Sequence, residues 1–140
     1  MLEDYFMLVK DIVEKLDLKV FSGERNLDCE ITGGCISDIL SDVMVQAKKG
    51  MLWVTNQTHE NVLAVTFFKS LAGVILPNGL YLEENAARKA KEKGILVLLT
   101  DLPAFEIVGQ MYEIGIGKKD AGAAKNTKKS IDNDSNNLYY

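Results

Sequence analysis

The side chains equipped for chemistry gather where three apolar runs end. MLWVT, GVILP and ILVLL begin at positions 51, 73 and 95, so 22 residues apart. The polar residues that follow them are Thr55, Asn56, Gln57, Thr58 and His59, then Asn78 with Gly79, then Thr100 with Asp101. Hydroxyls, amides and the backbone N–H groups of such loops can donate to a bound anion, and an Asn-Gly pair supplies the permissive backbone a close approach needs. The loops themselves hold no Lys or Arg, so an anion there would rest on amides, hydroxyls and backbone N–H groups alone. The same residues would also serve as ordinary helix caps and turns. His59 is the only histidine, and no thiol or carboxylate constellation is placed beside it to complete a metal site. Paired with Asp101 it could move a proton, which keeps open an enzyme acting on a phosphate ester. Plain caps and turns are the first reading of these residues; among functional readings the leading one is a ligand-binding edge with no catalytic group, no metal and no cofactor.

The elements that must position this edge follow from the spacing. A 22-residue interval fits one strand, a turn and a crossover helix of about three turns. Continuous Val, Ile and Leu runs suit strands buried on both faces, as parallel strands are. The fold class predicted is α/β: a three-layer, open, mostly parallel sheet with crossover helices on both faces. In such a sheet ligands bind outside the carboxyl ends of the strands, beside helix N-termini. That edge is where the nine polar residues fall.

Around this centre the periodicity predicts a helix over 2–16 with Leu2, Tyr5, Phe6, Val9, Ile12, Val13 and Leu16 inward. A short strand over 18–21 comes next, then a turn at Ser22 to Asn26. Leu27, Cys29 and Ile31 alternate with Asp28, Glu30 and Thr32, which predicts an edge strand with one wet face. Gly33-Gly34 reads as a flexible turn, with a phosphate-approach loop as the other use of such backbone. A helix over 37–49 has Ile39, Leu40, Val43, Met44 and Ala47 inward and Asp38 in its first turn. After MLWVT, a helix capped by Thr58 buries Val62, Leu63, Thr66, Phe67 and Leu71. A solvated helix over 83–93 shows Ala86, Ala87 and Ala90 to the core and pairs Glu84 with Arg88. The last helix, capped by Asp101, buries Phe105, Val108, Met111 and Tyr112.

At 140 residues and 47% hydrophobic content the chain is long enough for one domain with a sizeable core. The domain is predicted over 1–116, and the Gly, Lys, Asn and Ser composition of 117–140 predicts a disordered tail. A net charge of -4 argues against a nucleic-acid surface, and the basic bunches at Lys48 and Lys49, at Arg88 to Lys93 and at Lys118 to Lys129 read as helix ends or solvated chain. No apolar run reaches the roughly 20 residues of a spanning helix, and the first residues lack a basic-then-apolar signal pattern, so a cytoplasmic protein without membrane contact is expected. Cys29 and Cys35 are too few for a cluster or a structural zinc and read as small buried hydrophobes. Gly115 to Lys119 follows a helix and lacks the spacing of a phosphate-binding loop.

Over about residues 4–115 the chain resembles the DRTGG domain, also met as the N-terminal domain of bacterial HPr kinase/phosphorylase and as an insert in some CBS-containing pyrophosphatases. The resemblance rests on the N-terminal helix, Gly33-Gly34, the helix from Ser37, and then apolar strand, polar loop, helix, apolar strand and turn. The family's Asp-Arg-Thr falls on Asn56-Gln57-Thr58 and its Thr-Gly-Gly on Pro77-Asn78-Gly79. Only Thr58 and Gly79 keep the family's residue type, so the charged Asp and Arg are absent. The resemblance implies an HPr kinase N-terminal-domain-like fold and a non-catalytic regulatory or ligand-sensing module that often pairs with itself. A small anionic, nucleotide-like ligand is the implied effector. Small stand-alone members are similar to proteins encoded beside hydrogenase and redox genes, which makes a redox enzyme a candidate partner. The remaining alternative is a structural adaptor whose tail, ending in Tyr139-Tyr140, meets a partner.

Overall fold

The structure is a computed structural model, and it describes residues 7–117. The predicted tail over 117–140, with its adaptor reading, and the first five positions of the predicted N-terminal helix therefore lie outside the described residues, apart from Gly117.

Eleven elements follow one another: α1 Val9–Lys15, β1 Lys19–Ser22, a 3-10 turn Glu24–Asn26, β2 Gly33–Ile36, α2 Leu40–Gln46, β3 Met51–Val54, α3 Asn61–Phe68, β4 Gly73–Leu76, α4 Glu84–Lys93, β5 Val97–Leu99 and α5 Ala104–Glu113. The sheet order is β1-β5-β4-β3-β2. Strands β2 to β5 run parallel, and β1 closes the far edge antiparallel to β5, with Lys19 opposite Leu99. The three apolar runs are the three central strands, and their side chains alternate between two buried layers because a strand has a period of two. Trp53, Val74, Leu76, Val97 and Leu99 pack with Val43, Val62, Leu63, Ala86 and Ala90 of α2, α3 and α4. Leu52, Val54, Ile75, Leu96 and Leu98 pack with Val9, Ile12, Ile107 and Met111 of α1 and α5. The predicted three-layer α/β sheet is the fold. Successive crossovers between neighbouring parallel strands share one handedness, which puts α2, α3 and α4 on one face. The terminal helices take the other.

Four local expectations are corrected. The segment 27–32 forms no strand. Its backbone instead ties down the start of α1: Ile31 N–H donates to the Met7 carbonyl (2.8 Å), Val9 N–H to Cys29 (2.9 Å) and Lys10 N–H to Leu27 (2.9 Å), with one bridge between Leu8 and Glu30. The Val9 and Lys10 bonds satisfy donors that a helix start leaves open, and α1 begins at Val9 rather than running through residues 7 and 8. Gly33-Gly34 is no turn but the start of β2, in register with Met51 and Leu52. A Cβ on Gly34 would lie 3.3 Å from Met111 Cε and 3.4 Å from Ile116 Cγ2, so the missing side chain lets α5 and the chain after it sit close to the sheet. Helix α2 starts at Leu40, leaving Ile39 exposed and Asp38 outside the helix. Phe67, Phe105 and Tyr112, expected inside, are also exposed. Their helices bury Val62, Leu63, Val65 and Thr66 on α3, and Ile107 and Met111 on α5.

Candidate functional site

Helix α2 reaches its sheet through Ser37 and Asp38, and these two residues organise the loop after β3. Trp53 is fully buried, and its indole N–H donates to the Ser37 carbonyl at 2.8 Å, fixing the chain just before Asp38. The Asp38 carboxylate accepts from the Asn56 N–H (2.7 Å), the Thr55 hydroxyl (2.9 Å) and the Asn56 side-chain amide (3.1 Å). Gln57 donates its amide to the Asp38 carbonyl (2.9 Å) and its N–H to the Thr55 hydroxyl (3.1 Å). Asn78 extends the cluster by donating to the Asn56 amide oxygen at 3.1 Å. Partial burial pushes the Asp38 carboxyl up, but the hydrogen bonds from Asn56 and Thr55 outweigh it and hold its pKa below the usual carboxylate value. The donors expected to hold a ligand anion thus hold a carboxylate of the chain itself.

A second feature lies at the ends of β4 and β5. The loop after β4 leads to α4 on one face, and the loop after β5 leads to α5 on the other. Such a change of direction is the topological switch point at which open sheets leave a crevice. The turn is held by Asn78 N–H to the Leu102 carbonyl (2.8 Å) and Gly79 N–H to the Thr100 carbonyl (3.0 Å), with Asn78 and Gly79 both left-handed. Leu102 N–H donates to the Thr100 hydroxyl at 3.2 Å. Beside it opens a cleft of about 490 Å³ whose polar lining includes Asp17, Lys19, Tyr81, Thr100 and Asp101. That volume lies within the range of small-molecule sites. Antiparallel pairing of β1 brings Lys19 here, opposite Leu99. Among the described residues, Lys19, Asp17 and Asp101 form no ion pair with one another or with any other side chain. Tyr81 keeps 64% of its surface exposed.

The nine sequence-predicted residues therefore divide. Thr55, Asn56, Gln57 and Asn78 belong to the Asp38 cluster, while Gly79, Thr100 and Asp101 line the cleft. Thr58 and His59 belong to neither. The Thr58 carbonyl accepts from the Glu83 N–H (3.0 Å), and His59 Nδ1 accepts from the Asn61 N–H (3.1 Å). Neither Thr58 nor Asp101 caps its helix: α3 and α5 have no side-chain cap bond, and Pro103 stands at the N-cap of α5. Arg88 donates to Asn85 at 3.0 Å in place of the expected Glu84 pair. Lys19, Tyr81 and Asp17 went unnoticed in the sequence, where Asp38 reads only as a first-turn carboxylate of α2. A polar residue next to an N-terminal strand signals nothing until the pairing partner of that strand is known.

Asp101 lines the cleft and His59, the other residue of the enzyme reading, does not. Among the described residues, no group of three or more His, Cys, Asp or Glu side chains is placed to hold a metal ion. Cys29 and Cys35 are both free, Cys29 on the surface, and burial pushes the Cys35 thiol up. No helix among the described residues is long and apolar enough to cross a membrane.

No protein-family model matches the chain, and no curated protein matches it. Among solved structures the chain is similar to the CBS and DRTGG domains of the regulatory region of a Clostridium perfringens pyrophosphatase, in complex with its activator diadenosine tetraphosphate. The TM-score is 0.57 at 14% sequence identity, over 79% of this chain and 50% of that one. The chain thus spans about half the length of that structure. What the two share is the fold, an α/β domain of the DRTGG-like kind.

Proposed function

We propose that this chain is a non-catalytic regulatory module that senses a small nucleotide-like anion in the cleft where β4 and β5 end. The observation that carries the reading is the makeup of that cleft. Lys19 can meet a phosphate, the exposed ring of Tyr81 can stack on a base, and Asp17 and Asp101 can accept from ribose hydroxyls or an exocyclic amine. Two further facts support it: the fold is shared with a pyrophosphatase regulatory region, and that region carries a dinucleotide activator. Both thiols are unpaired, as a reducing cytoplasm would keep them. Pairing with a second copy, or docking on a redox enzyme, uses the exposed aromatic surface of α3.

The test is a thermal-shift and calorimetric series on the full chain with adenosine, AMP, ATP and diadenosine tetraphosphate. A ligand at about 100 times its Kd adds about 2.7 kcal/mol of stability, several degrees for a domain of this size. Tyr81→Ala and Lys19→Ala should each weaken that ligand about tenfold without changing the melting point of the free protein. A flat series across all four compounds, or a shift that both variants leave untouched, removes the cleft as the sensing site.

A further inference from the structure

The opposite end of the sheet carries a different charge. Because α2, α3 and α4 are all crossovers between parallel strands, their C-termini come out at the same pole, beside the starts of β3, β4 and β5. Basic residues far apart in the chain converge there: Lys48 and Lys49 after α2, Lys69 at the end of α3, Lys91 and Lys93 in the last turn of α4. A cavity of about 390 Å³ opens at this pole, and of these lysines Lys49 and Lys93 line it, together with Arg25, Ser70, one carboxylate, Glu30, and apolar residues such as Phe67 and Leu71.

Lysines at helix C-termini are ordinarily explained by the carbonyls they face. Here other groups satisfy those carbonyls. Arg25 Nη2 donates to the Lys93 carbonyl (2.9 Å), Asn26 to Gly94 (2.9 Å), the Thr32 hydroxyl to Lys49 (2.7 Å) and Gly50 N–H to Ser70 (3.0 Å). Among the described residues, neither the Lys49 nor the Lys93 ammonium has a carboxylate partner. With three cations against one carboxylate, the lining is net positive, and such a cleft raises the local concentration of anions. We infer that this amino-pole cavity is a second binding site, one that takes the phosphate chain of a small phosphorylated ligand between Lys49, Lys93 and Arg25. The Ser70 hydroxyl donates to the same oxygens. The sensing cleft holds one cation, Lys19, whereas this cavity offers three cations beside an apolar wall that includes Phe67, Leu71 and Ile95. The inference is independent of the proposed function.

The probe is inorganic tripolyphosphate, titrated calorimetrically into the full chain at low salt. Binding is expected, and the double variant Lys49→Ala/Lys93→Ala should weaken it at least tenfold with an unchanged melting point, since both side chains are solvent-exposed. Lys19→Ala removes the cation of the sensing cleft, so tripolyphosphate binding that persists in this variant belongs to the amino-pole cavity. Competition by ATP but not by adenosine would show that the phosphate chain of a nucleotide enters the same site. No heat of binding at low salt overturns the inference, as does binding that the double variant leaves intact. Loss of binding in Lys19→Ala alone also overturns it, by moving the anion to the cleft.

Discussion

Asp38 shows how a single side chain can occupy the role that a ligand was expected to play. Its carboxylate gathers the Thr55 hydroxyl and both donors of Asn56. Replacing it with Asn removes the charge from three hydrogen bonds at a solvent-exposed site. Bonds to a charged partner contribute more than neutral ones, but screening reduces that here, so Asp38→Asn should cost about 1 kcal/mol, or about 4 °C. The pH dependence follows from the direction of the shift. A carboxyl whose folded pKa is depressed contributes stability above its unfolded value, near 3.9, and loses it as pH falls through the lower folded value. Urea midpoints of wild type and Asp38→Asn should therefore differ at pH 7 and converge as the pH drops below about 4. A gap that stays constant across that window would mean the charge of Asp38 is not what holds the loop.

At the scale of elements, glycine decides more than apolar pattern does. Gly23 starts the 3-10 turn with φ +80°, and a Cβ there would run into the Leu96 backbone. Gly23→Ala should destabilise by at least about 2 kcal/mol, through strain and through pushing β1 away from β5. Gly109 sits exposed within α5 with nothing within 4 Å of an added Cβ, so Gly109→Ala should stabilise by about 0.5–1 kcal/mol. Thermal melts of the pair check both signs, and equal effects would refute this reading of Gly23. The same contrast explains what was legible in the sequence. Strands β3, β4 and β5 announced themselves because a strand buried on both faces needs an unbroken apolar run, and α4 because Glu84 and the lysines before Gly94 match its dipole. Strand β2 did not, because its first two residues are glycines, and the reason for Gly34 is the approach of Met111 and Ile116. The position of β1 at the far edge depends on pairing with β5, more than 70 residues away, which no local pattern encodes. The candidate site was half legible for that reason: its loops could be named from spacing, but Lys19 arrives from the edge strand β1 and Asp38 from the segment between β2 and α2.

At the scale of the whole molecule, the exposed aromatics say which face is unfinished. Phe67 and Phe68 on α3 are 77% and 73% exposed, and Val45 on the neighbouring α2 is 82% exposed. Two such rings from each of two copies amount to about 600 Å² of aromatic surface, roughly a third to a half of a standard interface. Laid antiparallel about Ala64, two α3 helices could approach closely, with Glu60 near the start of one facing Lys69 at the end of the other. Glu60 already pairs with Lys89 at 3.1 Å, so the gain is in orientation more than in energy. A homodimer is therefore expected by light scattering at tens of micromolar, and Phe67→Ser/Phe68→Ser should convert it to a monomer with an unchanged circular dichroism spectrum. A wild-type monomer at that concentration would remove self-pairing and leave the aromatic face to a redox enzyme or another partner. A dimer that survives both substitutions would place the contact elsewhere, the open edge of β2 with its exposed Ile36 being the next surface to vary.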